Sequence, residues 1–109
     1  MPYIMRFKEL HATGDGFAVN STARVGRMWN DRLCVGDRVV LWEEGSFLCY
    51  NAEVTAVYCT PFLALDKRDV FDNNTPACRS VHRLQEVLRE CYPGVMQHEP
   101  VTIVRFRMV

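Results

Sequence analysis

The sequence predicts an α+β fold, namely a small, mixed or antiparallel β-barrel of five or six strands with one main helix near the C-terminus. Segments with the two-residue alternation of β-strands make up most of the chain. One segment near the C-terminus repeats apolar residues at helical spacing. Because no helical crossovers separate the strands in a chain of 109 residues, a partly closed barrel is favoured over an open parallel sheet.

The N-terminal part of the chain contains three predicted strands. An apolar stretch at residues 2–7 suits an initial strand, and the glycine-rich residues 11–16 after it, beginning with His11, predict a loop. Residues 17–24 mix β-formers with small polar residues and predict a second strand. Residues 35–38 predict a turn into residues 39–42, which are apolar on both faces and therefore predict a central strand.

The middle of the chain predicts a long strand followed by a connection. Residues 43–46 have the composition of a turn, and Pro61 ends the alternation that follows them. One face of this strand is predicted to pack on the core, and it consists of Leu48, Tyr50, Ala52, Val54, Ala56 and Tyr58. Residues 62–74 have weak periodicity, which predicts a partly ordered connection.

The C-terminal part of the chain predicts the main helix and a last strand. The helix begins either at Thr75 and Pro76 or, in a shorter version, with Ser80 as its cap, and it ends at residues 92–94. Its apolar stripe consists of Val81, Leu84, Val87, Leu88 and Cys91. The final strand alternates, and its solvated face is predicted to carry Arg105 and Arg107.

Composition and charge exclude several classes of function. The 13 basic and 13 acidic residues give a formal net charge of zero at pH 7, which argues against strong non-specific DNA binding. No apolar run approaches the length of a membrane span, and the N-terminus lacks the features of a signal peptide, so we expect a cytoplasmic protein with no membrane partner. With 49% hydrophobic residues, residues 1–109 are expected to form a single domain.

The cysteines and histidines predict no metal site and no cofactor. The five cysteines include no Cys-x-x-Cys pair and no Cys/His cluster at zinc spacing. Several lie in apolar runs, where a free thiol behaves as a small hydrophobe, and this fits a reducing compartment. His11, His82 and His98 are scattered and are interpreted as ordinary surface residues.

The candidate ligand-binding residues are Thr22, Arg24, Arg27 and Trp29. They lie at the end of the second predicted strand and in the polar loop after it. A guanidinium can contact a phosphate or a base edge through two hydrogen bonds, a threonine hydroxyl both donates and accepts, and an indole can stack on a nucleobase. Simpler interpretations stay open, in which Trp29 covers one end of the barrel and Arg24 pairs with Asp31 or Asp37.

The order of these motifs resembles that of the ASCH family, a branch of the PUA-like barrels. The matching pieces are residues 22–24, the turn and strand at 35–42, the strand at 52–57, the helix end at 92–94 and the closing strand at 104–107. The resemblance spans most of the chain and implies a small PUA-like (ASCH) mixed β-barrel. Since PUA-like domains are associated with RNA or modified-base binding, it also implies RNA or a nucleoside-like small ligand as the partner.

The sequence departs from the family at positions that carry catalysis. The family pattern in the second strand resembles Gly-x-Lys-x-x-Thr-x-Arg, and here Val19 stands at the lysine position and Phe17 at the glycine position. Family members similar to small cytidine-derivative amidohydrolases use that lysine, the threonine and a glutamate before the late helix. Residues 73–77 contain no carboxylate, and the nearest is Asp72. Because a valine can neither activate a nucleophile nor stabilise an oxyanion, no catalytic residue is assigned and the interpretation leans away from an enzyme.

Three functions are predicted in order of preference. The first is a binding module for RNA or a modified nucleoside, with a cleft lined by the four candidate residues. The second is a small hydrolase, either an acylated-nucleoside amidohydrolase or a ribonuclease, in which Lys8 or Asp72 would replace the missing groups. The third is a protein-interaction module, which an exposed, contiguous apolar patch would favour.

Overall fold

The computed structural model describes residues 3–10, 19–47 and 49–109, except for the side chain of Val19. Its strands are β1 (Tyr3–Phe7), β2 (Val19–Val25), β3 (Arg38–Glu43), β4 (Cys49–Pro61) and β5 (Pro100–Met108). Its helices are α1 (Met28–Arg32), α2 (Lys67–Val70) and α3 (Val81–Cys91), with 3₁₀ turns at Phe62–Ala64 and Pro76–Cys78. The predicted loop with His11, the strand start at Phe17 and the inward position of Leu48 lie outside the described residues.

The five strands form one mixed sheet in the order β1-β3-β4-β5-β2. β1 runs parallel to β3, and the other three pairs are antiparallel. The sheet curls into a half-barrel, with β1 and β2 as its two edge strands. The predicted mixed barrel is therefore confirmed in a coarser form, as a curled sheet of five strands accompanied by helices.

The core consists of two clusters of buried residues on opposite faces of β5. The inner cluster, within the curl of the sheet, consists of Met5, Phe7, Trp29, Leu33, Val39, Leu41, Ala52, Val54, Val104, Phe106 and Met108. The outer cluster, between the sheet and α3, consists of Phe62, Leu65, Val70, Cys78, Leu84, Leu88, Val101 and Ile103. Because successive residues of a strand point to opposite faces, β5 contributes to both clusters and is buried on both sides.

A β-bulge in β4 changes the face on which its side chains lie. The register with β5 shifts between Val54 and Ala56. Val54 belongs to the inner cluster, and beyond the bulge Val57 packs against that cluster while Tyr58 packs against the outer one. The prediction that Val54 and Tyr58 share one face is therefore wrong, because one extra residue reverses the alternation.

Helix α3 corresponds to the shorter of the two helices that the sequence allows. Ser80 is its N-cap, and the Ser80 hydroxyl accepts a hydrogen bond from the Arg83 N–H at 3.5 Å. Pro76 instead opens a separate 3₁₀ turn. Leu84 and Leu88 point into the outer cluster, so the apolar stripe of α3 faces the sheet.

The connection between β4 and α3 is fixed to the sheet by a buried polar network. Asp72 accepts hydrogen bonds from the Ser21 hydroxyl at 2.8 Å and from Arg105 Nε at 3.0 Å. Arg105 Nη1 also donates to the Tyr58 hydroxyl at 3.2 Å, and that hydroxyl donates to Asp69 at 2.6 Å. The solvated position predicted for Arg105 is therefore wrong, because the connection covers this part of β5.

The Tyr58 hydroxyl should make stability depend on pH in the alkaline range. Burial raises the pKa of Tyr58 above its ordinary value of 10.0, and the hydrogen bond to Asp69 adds to the effect. Between the unfolded and folded pKa values only the folded chain keeps this proton, so stability is lost as pH rises through the folded pKa. We expect the free energy of unfolding, measured by urea denaturation from pH 8 to 11, to fall less steeply in Tyr58→Phe than in the wild type.

Tyr50, for which the sequence predicts a core-facing position, is instead exposed, with 37% of the residue's surface accessible, and it supplies the control for this measurement. Tyr50→Phe should retain the wild-type dependence on pH. An equally steep decline in Tyr58→Phe would contradict the assignment of the effect to Tyr58.

Candidate functional site

The two edge strands of the half-barrel meet through a side chain instead of a backbone ladder. Arg24 on β2 donates a hydrogen bond from Nη2 to the carbonyl oxygen of Arg6 on β1, at 2.6 Å. Among the described residues, β1 pairs with β3 and β2 pairs along its length with β5, and no backbone ladder joins β1 to β2. We call this junction, bridged by Arg24 and Arg6, the seam.

Arg24 is held at the seam by contacts that leave its charge without a carboxylate partner. Its Nε donates to the Thr22 hydroxyl at 3.3 Å, and its guanidinium carbon lies 4.9 Å from the centre of the Phe7 ring. Burial lowers the pKa of Arg24, and the nearby Tyr92 and Cys91 oppose that effect in part. Among the described residues, none of the ion pairs involves Arg24.

The two acidic residues considered as partners of Arg24 are engaged elsewhere. Asp31 lies 3.9 Å from Arg27, measured between Oδ1 and Nε. Asp37 accepts a hydrogen bond from the Cys34 N–H at 2.8 Å. The interpretation of Arg24 as the ion-pair partner of Asp31 or Asp37 is therefore wrong.

A cleft with a volume of about 400 Å³ opens at the seam, between β2 and α3. Its lining combines the basic residues Arg6, Lys8 and Arg24 and the acidic residues Glu9 and Glu44 with Phe7, Thr22, Ala23, Asn73, Thr75, Cys78, Leu84, Val87, Leu88, Cys91 and Tyr92. The helix supplies an apolar wall, while the two strands and the connection supply polar groups. A cavity of several hundred cubic ångströms in which an apolar wall faces convergent polar groups is typical of small-molecule sites.

The structure brings together only two of the four predicted site residues. Thr22 and Arg24 line the cleft, because alternate residues of β2 point to the same face. Arg27 lies outside the cleft and is exposed. Trp29 is 9% exposed and packs in the inner cluster, with its ring edge-to-face with that of Tyr3 at 6.2 Å.

The stacking role predicted for Trp29 is therefore replaced by a packing role. The segment predicted as a polar loop contains helix α1, and Trp29 is the buried residue of that helix. Its burial in the inner cluster makes Trp29 a core residue. An apolar ring within a short helix gains more by burial than by exposure.

Sequence patterns miss the residues that complete the cleft from other parts of the chain. Asn73 reaches it because residues 21 and 73 form an isolated parallel bridge beside β2. Tyr92, at the end of α3, brings an aromatic ring to the same cleft. No pattern in the sequence predicts Asn73 as a site residue; it stands just before the late helix.

The described residues do not assemble a hydrolytic set around the Thr22 hydroxyl. The hydrogen bond to this hydroxyl comes from Arg24 Nε, and within the described part of the chain no carboxylate contacts it. Asp72 is buried and bonded to Ser21 and Arg105, so it does not replace the missing glutamate. Lys8 lines the cleft, but it makes no hydrogen bond to Thr22.

A second, apolar groove lies on the outer face of β1, β3 and β4. It has a volume of about 390 Å³ and is lined by Ile4, Arg6, Val40, Trp42 and Cys49. The Arg6 guanidinium covers part of it, 5.6 Å from the centre of the Trp42 ring. Of the described surface, this groove is where the protein-interaction hypothesis would apply.

The described residues contain neither a cluster of metal-ligating side chains nor a membrane-spanning helix. No group of three or more His, Cys, Asp or Glu side chains within residues 3–10, 19–47 and 49–109 could hold a metal ion. In the same residues, no helix combines the length and the apolar character that a membrane crossing requires.

The comparisons with known proteins identify a fold. No protein-family model matches the sequence, and no curated protein matches it. The structure is similar to the crystal structure of an ASCH domain from Lactobacillus crispatus, with a TM-score of 0.68 and 10% sequence identity. The similarity covers 97% of this chain and 79% of the other. The ASCH-like fold that the sequence predicts is thus confirmed.

Proposed function

We infer that the protein is a binding module for RNA or a nucleoside-like ligand, and that the cleft at the seam holds this ligand through Arg24 and Thr22. The single observation that carries the proposal is the state of the Arg24 guanidinium. It is half-buried at the wall of a cleft, its pKa is lowered by burial, and no carboxylate of the described residues pairs with it.

A desolvated guanidinium without a counterion favours the binding of an anion. Loss of water raises the free energy of the charged group, and an anion that enters the cleft restores a strong interaction in a medium of reduced dielectric constant. Nη2 of Arg24 now donates to a neutral carbonyl oxygen, which is a weaker acceptor than a phosphate oxygen. The phosphate group of a nucleotide or of an RNA strand fits this requirement.

The rest of the cleft suits the remainder of a nucleotide. Val87 and Cys91 on α3 offer an apolar surface for a ring, and Tyr92 supplies an aromatic side chain in place of the buried Trp29. The hydroxyl of Thr22 and the amide of Asn73 offer hydrogen-bonding groups. A volume of about 400 Å³ admits a guest of nucleotide size and lies in the range typical of ligand sites.

Replacement of Arg24 tests the proposal. Arg24→Ala should weaken the binding of a fluorescein-labelled single-stranded RNA, measured by fluorescence anisotropy, about 10- to 100-fold, since a charge-assisted hydrogen bond contributes about 1.5 to 3 kcal/mol. The dependence of log affinity on log salt concentration should also decrease by about one unit, as expected for the loss of one phosphate contact.

Arg27→Ala is the matched control, because it removes a guanidinium only three residues away that lies outside the cleft. This variant should retain the affinity and the salt dependence of the wild type. Circular dichroism must show that Arg24→Ala keeps its fold, since Arg24 also bridges the seam. Equal binding by Arg24→Ala, or equal losses in the two variants, would reject the proposal.

A further inference from the structure

The free edge of β2 exposes backbone groups to the cleft. The Gly26 N–H donates to the Pro100 carbonyl on the side of β5, at 2.7 Å. On the opposite side, the Ser21 N–H donates to the Asp72 carbonyl at 2.9 Å, and the Ser21 carbonyl accepts from the Asn74 N–H at 2.7 Å. Even-numbered residues of β2 therefore direct their backbone groups to β5, and odd-numbered residues direct theirs to the free edge.

Ala23 is the odd-numbered residue that lies in the cleft wall. Its N–H and C=O point away from β5, between the side chains of Thr22 and Arg24, and no described residue forms a hydrogen bond with either group. The Ala23 methyl group packs against the outer cluster, and its N–H and C=O lie at the free edge of β2, in the strand segment that lines the cleft. Half-buried backbone groups of this kind are normally satisfied by water or by a ligand.

We propose that the backbone of Ala23 binds the hydrogen-bonding edge of a nucleobase whose phosphate is held by Arg24, an inference that rests on the proposed function of the cleft. The N–H and C=O of one strand residue form an adjacent donor and acceptor. Each of the four RNA bases carries an adjacent acceptor and donor on its Watson–Crick edge, so one backbone residue can pair with that edge. This contact requires no particular side chain at position 23.

The length of the free edge favours a nucleobase over a peptide strand. Strand addition needs several alternate residues with free backbone groups. On β2 the groups of Ser21 are already bonded to Asp72 and Asn74, and Val25, the last residue of the strand, lies outside the cleft. Of the described β2 residues that line the cleft, Ala23 alone directs unpaired backbone groups to the free edge, which suits a planar group with one donor and one acceptor.

Three small ligands separate the contact with the base from the contact with the phosphate. The probes are uridine 5′-monophosphate, its N3-methyl derivative, which lacks the N3–H donor, and ribose 5-phosphate, which lacks the base. In NMR titrations of the full chain, uridine 5′-monophosphate should bind roughly tenfold more tightly than the other two, because it gains hydrogen bonds at Ala23. It should also shift the Ala23 amide proton downfield, whereas ribose 5-phosphate should not.

Ala23→Pro removes the proposed donor, because proline has no backbone N–H. A proline is tolerated on an edge strand when its N–H would face away from the sheet, and Thr22 already has the extended backbone that proline requires before it. This variant should bind uridine 5′-monophosphate no more tightly than ribose 5-phosphate. Val25→Pro, which removes an edge N–H outside the cleft, should keep the tenfold difference.

The outcomes distinguish this inference from the proposed function. If the three probes bind equally, depend on Arg24 and leave the Ala23 amide unshifted, the base contact is rejected while the function stands. If no probe binds, both are rejected. The amide shift of the unaltered chain decides the question even if Ala23→Pro fails to fold.

Discussion

Asp72→Ala is expected to lower the free energy of unfolding by about 3 to 5 kcal/mol, the cost of breaking a buried ion pair. The Asp72 side chain is only 6% exposed and that of Arg105 only 17%. Removal of the carboxylate leaves the Arg105 guanidinium partly buried without its counterion, and it also removes the acceptor of the Ser21 hydroxyl. Urea denaturation monitored by circular dichroism measures the loss.

A surface ion pair provides the control for Asp72. Glu53 lies 3.3 Å from Arg107 and 3.9 Å from Arg38, and both arginines are more than half exposed. Glu53→Ala should therefore cost only about 0 to 1 kcal/mol. In Asp72→Ala/Arg105→Ala the loss should be smaller than the sum of the two single losses, because the unpaired charge is gone. If Asp72→Ala cost no more than Glu53→Ala, the network would not anchor the connection.

Phe106→Ala is expected to cost about 3 to 5 kcal/mol, because it creates a cavity in the inner cluster. Phe106 has no exposed surface, and its ring lies edge-to-face with that of Phe7, with 6.4 Å between the ring centres. Phe7 also lines the cleft and supports the Arg24 guanidinium. The same variant should therefore bind the RNA probe less tightly, even under conditions in which it stays folded.

An exposed phenylalanine gives the matched comparison. The Phe47 side chain is fully accessible, and Phe47→Ala should change the free energy of unfolding by less than about 0.5 kcal/mol. Phe106→Leu, which keeps most of the buried volume, should lose much less stability than Phe106→Ala. Similar losses for Phe47→Ala and Phe106→Ala in urea denaturation would contradict the described core.

The parts of the fold that the sequence predicts are the elements whose pattern depends on residues close together in the chain. The apolar run at residues 39–42 and the alternation over residues 101–107 both reflect side chains on two faces of a strand, and the helical spacing from Val81 to Leu88 reflects one face packed on the sheet, so these features can be read from neighbouring residues. The order of these elements was enough to indicate the ASCH fold. Thr22 and Arg24 were predictable as partners because they stand two residues apart on one strand.

The features that could not be predicted depend on contacts distant in sequence. The bulge between Val54 and Ala56 responds to the curl of the whole sheet and leaves no local signal. The charge of Arg105 predicts a solvent-facing side chain. Only the folded structure shows that Arg105 pairs with Asp72, which lies 33 residues away along the chain. Composition likewise cannot tell a stacking Trp29 from a packed one, because the same ring serves both purposes.

The bridge between β1 and β2 has a consequence for any guest of the cleft. If a backbone ladder joined β1 to β2, several hydrogen bonds would have to break before a ligand could enter between them. At the seam, only the hydrogen bond from Arg24 Nη2 to the Arg6 carbonyl oxygen has to be exchanged. An anion that binds Arg24 would have to displace the Arg6 carbonyl oxygen from Nη2. Its affinity would therefore reflect the difference in strength between two hydrogen bonds, one to the anion and one to the carbonyl oxygen. Under the proposed function, a neutral molecule would gain little from that exchange, so the Arg6 carbonyl oxygen would favour charged ligands over neutral ones.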